Sequence, residues 1–272
     1  MENRIDARFA QLRANGQVGF VAYITGGDPT LARTEEVAVA LAQAGTDFLE
    51  IGVPFSDPLA DGIANQLGAQ RALQAGTTLP KLLYTVASIR SAIALPIVLY
   101  SYLNPILQYG LDRFEEDAAA VGVDGLLLLD LPPDEPMYER SSQHLHRIRL
   151  IAPTTSPDRI GKIAADASGF IYYVCREGVT GERAELAASI PEQVASIRAH
   201  TELPIAVGFG ISTAEQAAIV AQSADAVVVG SAIVRRVGEY GRDADLSLKI
   251  RRFVEPLAAA VHETTKLGKN SS

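Results

Sequence analysis

Short apolar runs alternate with helix-length amphipathic stretches along almost the whole chain. The runs are "GFVAYIT" (19–25), "DFLEIG" (47–52), "PIVLYS" (96–101), "DGLLLLD" (124–130), "RLIAP" (149–153), "GFIYYVC" (169–175), "LPIAVGFG" (203–210) and "DAVVVG" (225–230), eight in all. Each is too short for a helix, is rich in Val, Ile or Leu, and is bounded by Gly, Pro or Asp, which are marks of strands. Their apolarity is near-continuous rather than alternating. That pattern belongs to strands buried on both faces, hence to parallel strands covered by helices.

The stretches between them read as helices. "PTLARTEEVAVALAQAG" ends in Gly45 and "LDRFEEDAAAVG" in Gly122, each a natural helix stop. The second carries acids in its first turn, where the helix dipole favours them. "SIPEQVASIRAH" (189–200) and "STAEQAAIVAQ" (212–222) open on Ser followed by Pro or Glu, which predicts helix starts there. Eight strand–helix units within about 230 residues predict a (β/α)8 barrel of the TIM type, as one domain over 1–265. Residues 1–16 predict an extra helix closing the barrel bottom, and "KLGKNSS" (266–272) a frayed tail. Two long connections break the rhythm. One runs from Val53 to Gly62 and on through two helices; the other spans 176–189. Both follow strand C-termini, the catalytic face of such barrels, and are expected to act as lids.

Composition narrows the class. The net charge is −8 and no basic stripe marks a nucleic-acid site. The nearest candidate, Arg140 with His144, His146, Arg147 and Arg149, reads as a solvated helix face. One cysteine, Cys175, excludes an internal disulfide framework. No apolar stretch reaches membrane-spanning length and the N-terminus has no signal-like core, so a cytoplasmic protein without a membrane partner is expected. The four histidines and Cys175 show no metal-ligand spacing, and no nucleophile elbow or P-loop is present; no metal is expected.

The candidate chemistry lies in carboxylates and glycines. Glu50 interrupts the apolar run "DFLEIG". A charged Glu in a parallel strand is costly unless paired or neutralised. Glu50 points opposite to Leu49 and Ile51; if those face the helices, it faces the lumen near the catalytic mouth. Apart from Arg149, the strand runs hold no Lys or Arg to pair with it, so a catalytic acid or base is favoured over a structural ion pair. Asp28, Asp57, Asp61 and Asp130 also lie at or beyond strand ends on that face, and position alone leaves all four open. Of Tyr172 and Tyr173, only one can face the lumen. "VGFGIS" (207–212) and "VVVGSAIV" (227–234) end the seventh and eighth strands and precede helices. Gly210, Gly230 and Ser231 there can offer backbone N–H groups to a phosphate, with Gly181 of "GVTG" adding another. The alternative is that these glycines serve only tight turns.

In order along the chain, "FVAYITGGDP", "DFLEIGVPFSDPLADG", "YSYLNPIL", "LDLPPDE", "APTTSPDRI", "YYVCREGVTG", "PIAVGFGIS" and "VVVGSAIV" closely resemble the tryptophan synthase alpha chain family, from about Ile5 to Leu257. The resemblance implies a retro-aldol cleavage of indole-3-glycerol phosphate to indole and glyceraldehyde 3-phosphate. It implies Glu50 as the proton-shuttling acid–base and Asp61 as the acid that accepts the indole N–H. It implies Tyr23, Tyr172 and Phe209 as substrate-packing residues, and Gly181, Gly210, Gly230 and Ser231 as the phosphate cradle. It implies no cofactor in this chain, with pyridoxal phosphate confined to a beta chain that receives indole in an alpha2–beta2 complex. A stand-alone indole-releasing lyase and a non-catalytic activating subunit are the alternatives. Three positions depart from the family pattern: Ile63 stands where Pro is usual, Asn65 in an apolar part of the pocket, and Cys175 where Ser is usual. These are expected to bear on loop rigidity and beta-chain coupling more than on the acids.

Overall fold

The structure is a computed structural model that describes residues 3–133, 135, 145–174, 180–208 and 210–264. The expected tail lies outside these residues, as do Arg140, His144, Cys175 and Phe209.

Eight parallel strands close into a barrel in sequence order. They are β1 (Gly19–Thr25), β2 (Phe48–Gly52), β3 (Ile97–Ser101), β4 (Gly125–Leu128), β5 (His146–Ile151), β6 (Ile171–Val174), β7 (Ile205–Gly208) and β8 (Ala226–Val229). The helices are α1 (Arg4–Ala14), α2 (Leu31–Gln43), α3 (Ile63–Gln74), α4 (Leu79–Ala92), α5 (Leu103–Tyr109), α6 (Leu111–Ala120), α7 (Pro157–Asp166), α8 (Thr180–Arg198), α9 (Ala214–Ala221), α10 (Ser231–Tyr240) and α11 (Leu246–His262). This is the (β/α)8 barrel that the pattern predicts. The helices α2 and α6 stop where expected, with Gly45 and Gly122 at φ +93° and +90°.

Strand alternation sorts side chains into two cores. Leu49, Ile51, Leu99, Val207 and Val229 point outward and pack under the helices. Phe48, Val98, Leu127, Ile148, Phe170 and Ala206 point inward and fill the lumen. From below, α1 inserts Ile5, Phe9 and Leu12 into that inner core. The Phe9 ring packs at a tilt against Phe48 at 4.5 Å and Phe170 at 5.7 Å between ring centroids. The barrel is therefore plugged at its N-terminal end, and its polar interior is confined to the opposite rim.

A recurring device fixes strand register at the plugged end. Asp47, just before β2, donates its N–H to Phe20 O (2.9 Å) and accepts the Phe20 N–H on its carboxylate (2.6 Å). Asp124 repeats this with Ile97 (2.8 Å each way), and Asp225 with Ile205 (2.8 and 2.9 Å). Ser168, ahead of β6, does the same with Arg147 (2.8 Å each way). Every even-numbered strand is thus clamped to its odd-numbered predecessor by a side chain that satisfies the predecessor's first free N–H. Basic side chains close the aspartates from outside: the guanidinium of Arg8 and the His262 ring on Asp47, Arg4 and Arg90 on Asp124, Arg198 on Asp225.

Two expectations fail. The described part of the basic cluster is not a helix face: His146, Arg147 and Arg149 belong to β5, which begins three residues before the apolar run that predicted it. Arg147 and Arg149 point outward to Asp166 of α7, and His146 meets Asp6 at 2.7 Å. Paired arginines at outward positions hid the strand signal. The segment 176–189 is also not a loop throughout, because α8 begins at Thr180 and runs on through Ser189 and Pro191. Ser and Pro are favoured at helix starts, but here the Ala- and Glu-rich stretch before them is itself a good helix former.

Candidate active site

Glu50 lies in the middle of β2, in register with Tyr23 of β1 and Val98 of β3. Its neighbours Leu49 and Ile51 face the helices, so Glu50 faces the lumen. It is 1% exposed, and neither carboxyl oxygen has a hydrogen-bond partner among the described residues. Burial, reinforced by the negative charge of Asp61, raises its pKa to about 8. The strand supplies a rigid carboxyl that holds its proton at neutral pH.

Asp61 approaches from the loop between β2 and α3. Tyr100 donates to its Oδ1 at 3.0 Å, Tyr102 to its Oδ2 at 3.0 Å, and Asn65 Nδ2 lies 3.4 Å from Oδ1. The Tyr102 hydroxyl in turn accepts the Ala60 N–H at 2.9 Å, which ties the loop to β3. Burial raises the pKa of Asp61, and the three donors oppose that rise. Unlike Glu50, this carboxylate has partners for its charged form. Two acids a short distance apart thus sit in contrasting settings, the usual arrangement where one is to give a proton and the other to hold charge.

The other three acids have different places. Asp57 and Asp130 are exposed, and Asp130 accepts the Leu103 N–H at 2.7 Å. Asp28 is buried in a two-point ion pair with Arg71. Of the two tyrosines on β6, Tyr172 faces the lumen and Tyr173 the helices. The hydroxyls of Tyr23, Tyr100 and Tyr172 are raised well above their ordinary pKa, first by burial. The charges of Glu50 and Asp61 add to that rise at all three, which places these five side chains in one neighbourhood.

The glycines divide by purpose. Gly210 has φ +58°, a conformation that other residues adopt only at a cost. Gly230, ahead of α10, has a negative φ, so its conformation does not demand glycine. Space does: a Cβ there would stand 3.2 Å from the Tyr23 ring. At Gly52 a Cβ would stand 2.2 Å from the Tyr23 hydroxyl. Gly210 and Gly230 end neighbouring strands, with Ser231 opening α10, while Gly181 lies in the first turn of α8 beyond the adjacent β6. Phe209 lies outside the described residues. Among those residues no cluster of His, Cys, Asp and Glu is placed to hold a metal, and no helix is long and apolar enough to cross a membrane.

Residues 9–262 match the family described as "Tryptophan synthase alpha chain". The tryptophan synthase alpha chain of Geobacter sulfurreducens is 49% identical over 262 residues, covering 95% of this chain and 99% of that one. The chain belongs to the tryptophan synthase alpha chain family. Solved structures agree. Tryptophan synthase from Mycobacterium tuberculosis superposes with a TM-score of 0.86 at 35% identity, covering 98% of this chain and 100% of that one. The alpha chain from Legionella pneumophila gives 0.86 at 36%, covering 96% and 98%. Membership makes the chain an alpha-type lyase of tryptophan biosynthesis and implies a complex with a beta chain.

Against the family pattern, the structure adds two residues and revises one. Tyr100 and Tyr102 hold Asp61, yet in the sequence they are only two tyrosines around Ser101. The available signal was spacing: hydroxyl-bearing aromatics two apart at a strand's C-terminal end share a face. Asn65 does bear on an acid. It stands four residues after Asp61, one helical turn, and its amide reaches the carboxylate. Ile63 begins α3 behind Gly62, which gives no side-chain cap, and it is 76% exposed. The helix forms there without the usual Pro.

Proposed function

We propose that this chain cleaves indole-3-glycerol phosphate by a retro-aldol reaction in which Glu50 moves both protons. The observation that carries the reading is the buried, unpartnered Glu50 carboxyl, with its pKa raised to about 8, beside a hydrogen-bonded Asp61. The carbon–carbon bond can break only once indole C3 is tetrahedral, because the departing electron pair needs an iminium to receive it. Glu50 therefore starts as the acid and gives its proton to C3. Positive charge then develops on the ring nitrogen, whose N–H donates to the Asp61 carboxylate. The Glu50 carboxylate next takes the proton of the glycerol hydroxyl. The oxygen becomes a carbonyl, the bond to C3 breaks, and its electrons restore the indole. Glu50 ends with its proton regained, and no oxidant or cofactor enters the balance.

Tyr23, Tyr172 and Phe209 pack the substrate between the acids and the far rim. Gly181, Gly210, Gly230 and Ser231 cradle the phosphate with backbone N–H groups near the start of α10, where the helix dipole favours an anion. In the cell the chain works in the cytoplasm as one barrel domain over 1–265, in an alpha2–beta2 complex whose beta chains hold the pyridoxal phosphate and consume the indole.

The direct test is indole release from indole-3-glycerol phosphate, with and without a beta chain. Glu50→Gln should lose at least about 100-fold in turnover, the scale of positioned acid–base catalysis, while substrate binding persists. Turnover within a few-fold of the parent would sink the assignment. Release that is fast alone and unchanged by a beta chain would favour the stand-alone lyase.

A further inference from the structure

The mechanism leaves one buried carboxylate at the catalytic rim without a task. Asp28 follows β1, is 2% exposed, and receives Arg71 of α3 through two parallel bonds, Nε to Oδ1 and Nη2 to Oδ2, both 2.7 Å. Such a fork fixes direction as well as distance. Its surroundings are built to fit. A Cβ on Gly238 of α10 would stand 2.8 Å from the Arg71 Cζ, so α10 rests directly on the guanidinium. A Cβ on Gly68 of α3 would stand 2.8 Å from Thr25 Oγ1, 2.9 Å from Val234 Cγ1 and 3.1 Å from Asp28 Oδ2. The end of β1, α3 and α10 thus meet at one ion pair, with glycines clearing the space.

These three elements carry the two ends of the site. The helix α3 begins two residues after Asp61 and holds Asn65; α10 begins at Ser231, behind Gly230; β1 carries Tyr23. We propose that Asp28 and Arg71 form a positioning pair that sets the span between the acids and the phosphate cradle. The proposal rests on the functional reading above and names a device that makes it efficient. Binding energy gained at a remote phosphate raises turnover only when the cradle is held rigidly against the reacting groups. A pair that locks the cradle helix α10 to α3, the helix that follows Asp61, does this without touching substrate.

The test compares two substrates, indole-3-glycerol phosphate and its dephosphorylated analogue indole-3-glycerol, in the full chain. For the parent, the ratio of their kcat/KM values measures what the phosphate contributes. In Arg71→Met this ratio should fall by about tenfold or more, the scale of a small misplacement. The loss should include kcat on the phosphorylated substrate and not only KM. Arg71→Lys, which keeps the charge but loses the fork, should fall in between, and it decides the matter if the Met variant does not fold. A merely structural pair would lower melting temperature and leave the ratio unchanged. A ratio within twofold of the parent in a folded variant overturns the proposal alone. A parent chain that cleaves neither substrate overturns the functional reading, and the proposal falls with it.

Discussion

Glu50 and Asp61 show how local surroundings divide labour between two like groups. The strand gives Glu50 no partner, so burial keeps it protonated; the end of β3 and the first turn of α3 give Asp61 phenol and amide donors that favour its anion. A consequence is a pH dependence of defined sign. If the reaction begins with proton donation from Glu50, the competent free enzyme is the acid form. Then kcat/KM should fall as pH rises through about 8, the pKa to which burial raises this group. A steady-state profile from pH 6 to 10 reads it directly. A rise through that range would show that Glu50 enters as a base and would reverse the order of the two proton transfers. Asn65 belongs at this scale too. Its Nδ2 leans on Asp61 while its Oδ1 is buried without a partner among the described residues. The sequence marked this position as a departure but not its reach, because a one-turn helical spacing to Asp61 matters only once α3 is known to start between them.

At the scale of elements, the molecule separates stability from chemistry along the barrel axis. The strand-initial aspartates cluster at the plugged end; Glu50, Asp61 and the glycine turns lie at the other. Asp47 makes the case best, being fully buried and serving a backbone N–H, Arg8 and His262 at once. Asp47→Ala leaves the Phe20 N–H and an arginine without their buried acceptor, a loss of about 3–5 kcal/mol. Urea unfolding should show that loss, while KM and kcat, measured where the variant stays folded, should hold within about twofold. A selective loss of kcat would mean that the two ends are mechanically coupled. The clamps were only half legible beforehand. Asp before an apolar run reads as punctuation, and that it also serves the preceding strand depends on which strands are neighbours. The boundaries of β5 and α8 were misread for a similar reason. Outward arginines paired to Asp166 mask the strand, and an Ala- and Glu-rich stretch carries α8 through a proline that ordinarily marks a helix start.

For the whole molecule, the barrel was legible because burying both faces of eight strands leaves a repeating apolar signature that few other folds share. Much of the candidate site was legible because a charge inside that signature is anomalous, and Glu50 was the one such charge without an obvious counter-ion. What stayed hidden was the layer behind the acids, Tyr100, Tyr102 and the Asp28–Arg71 fork, whose partners lie on neighbouring strand–helix units and meet only once those units pack side by side. The anomaly that exposed Glu50 also has a global cost. Below about pH 4.5, its ordinary value, the group is neutral in both folded and unfolded chains. Between there and about 8 the unfolded chain ionises while the folded one keeps its proton, so unfolding releases a proton and stability falls as pH rises. The slope from this group is about 1.4 kcal/mol per pH unit, and it flattens once the folded group ionises too. Glu50→Gln removes that term and keeps the shape. The variant should match the parent near pH 4.5 and exceed it by a margin that widens up to about pH 8. Urea midpoints for both proteins across this range measure the margin. A constant difference would mean that the folded protein holds Glu50 ionised, which would remove the acid from which the proposed reaction starts.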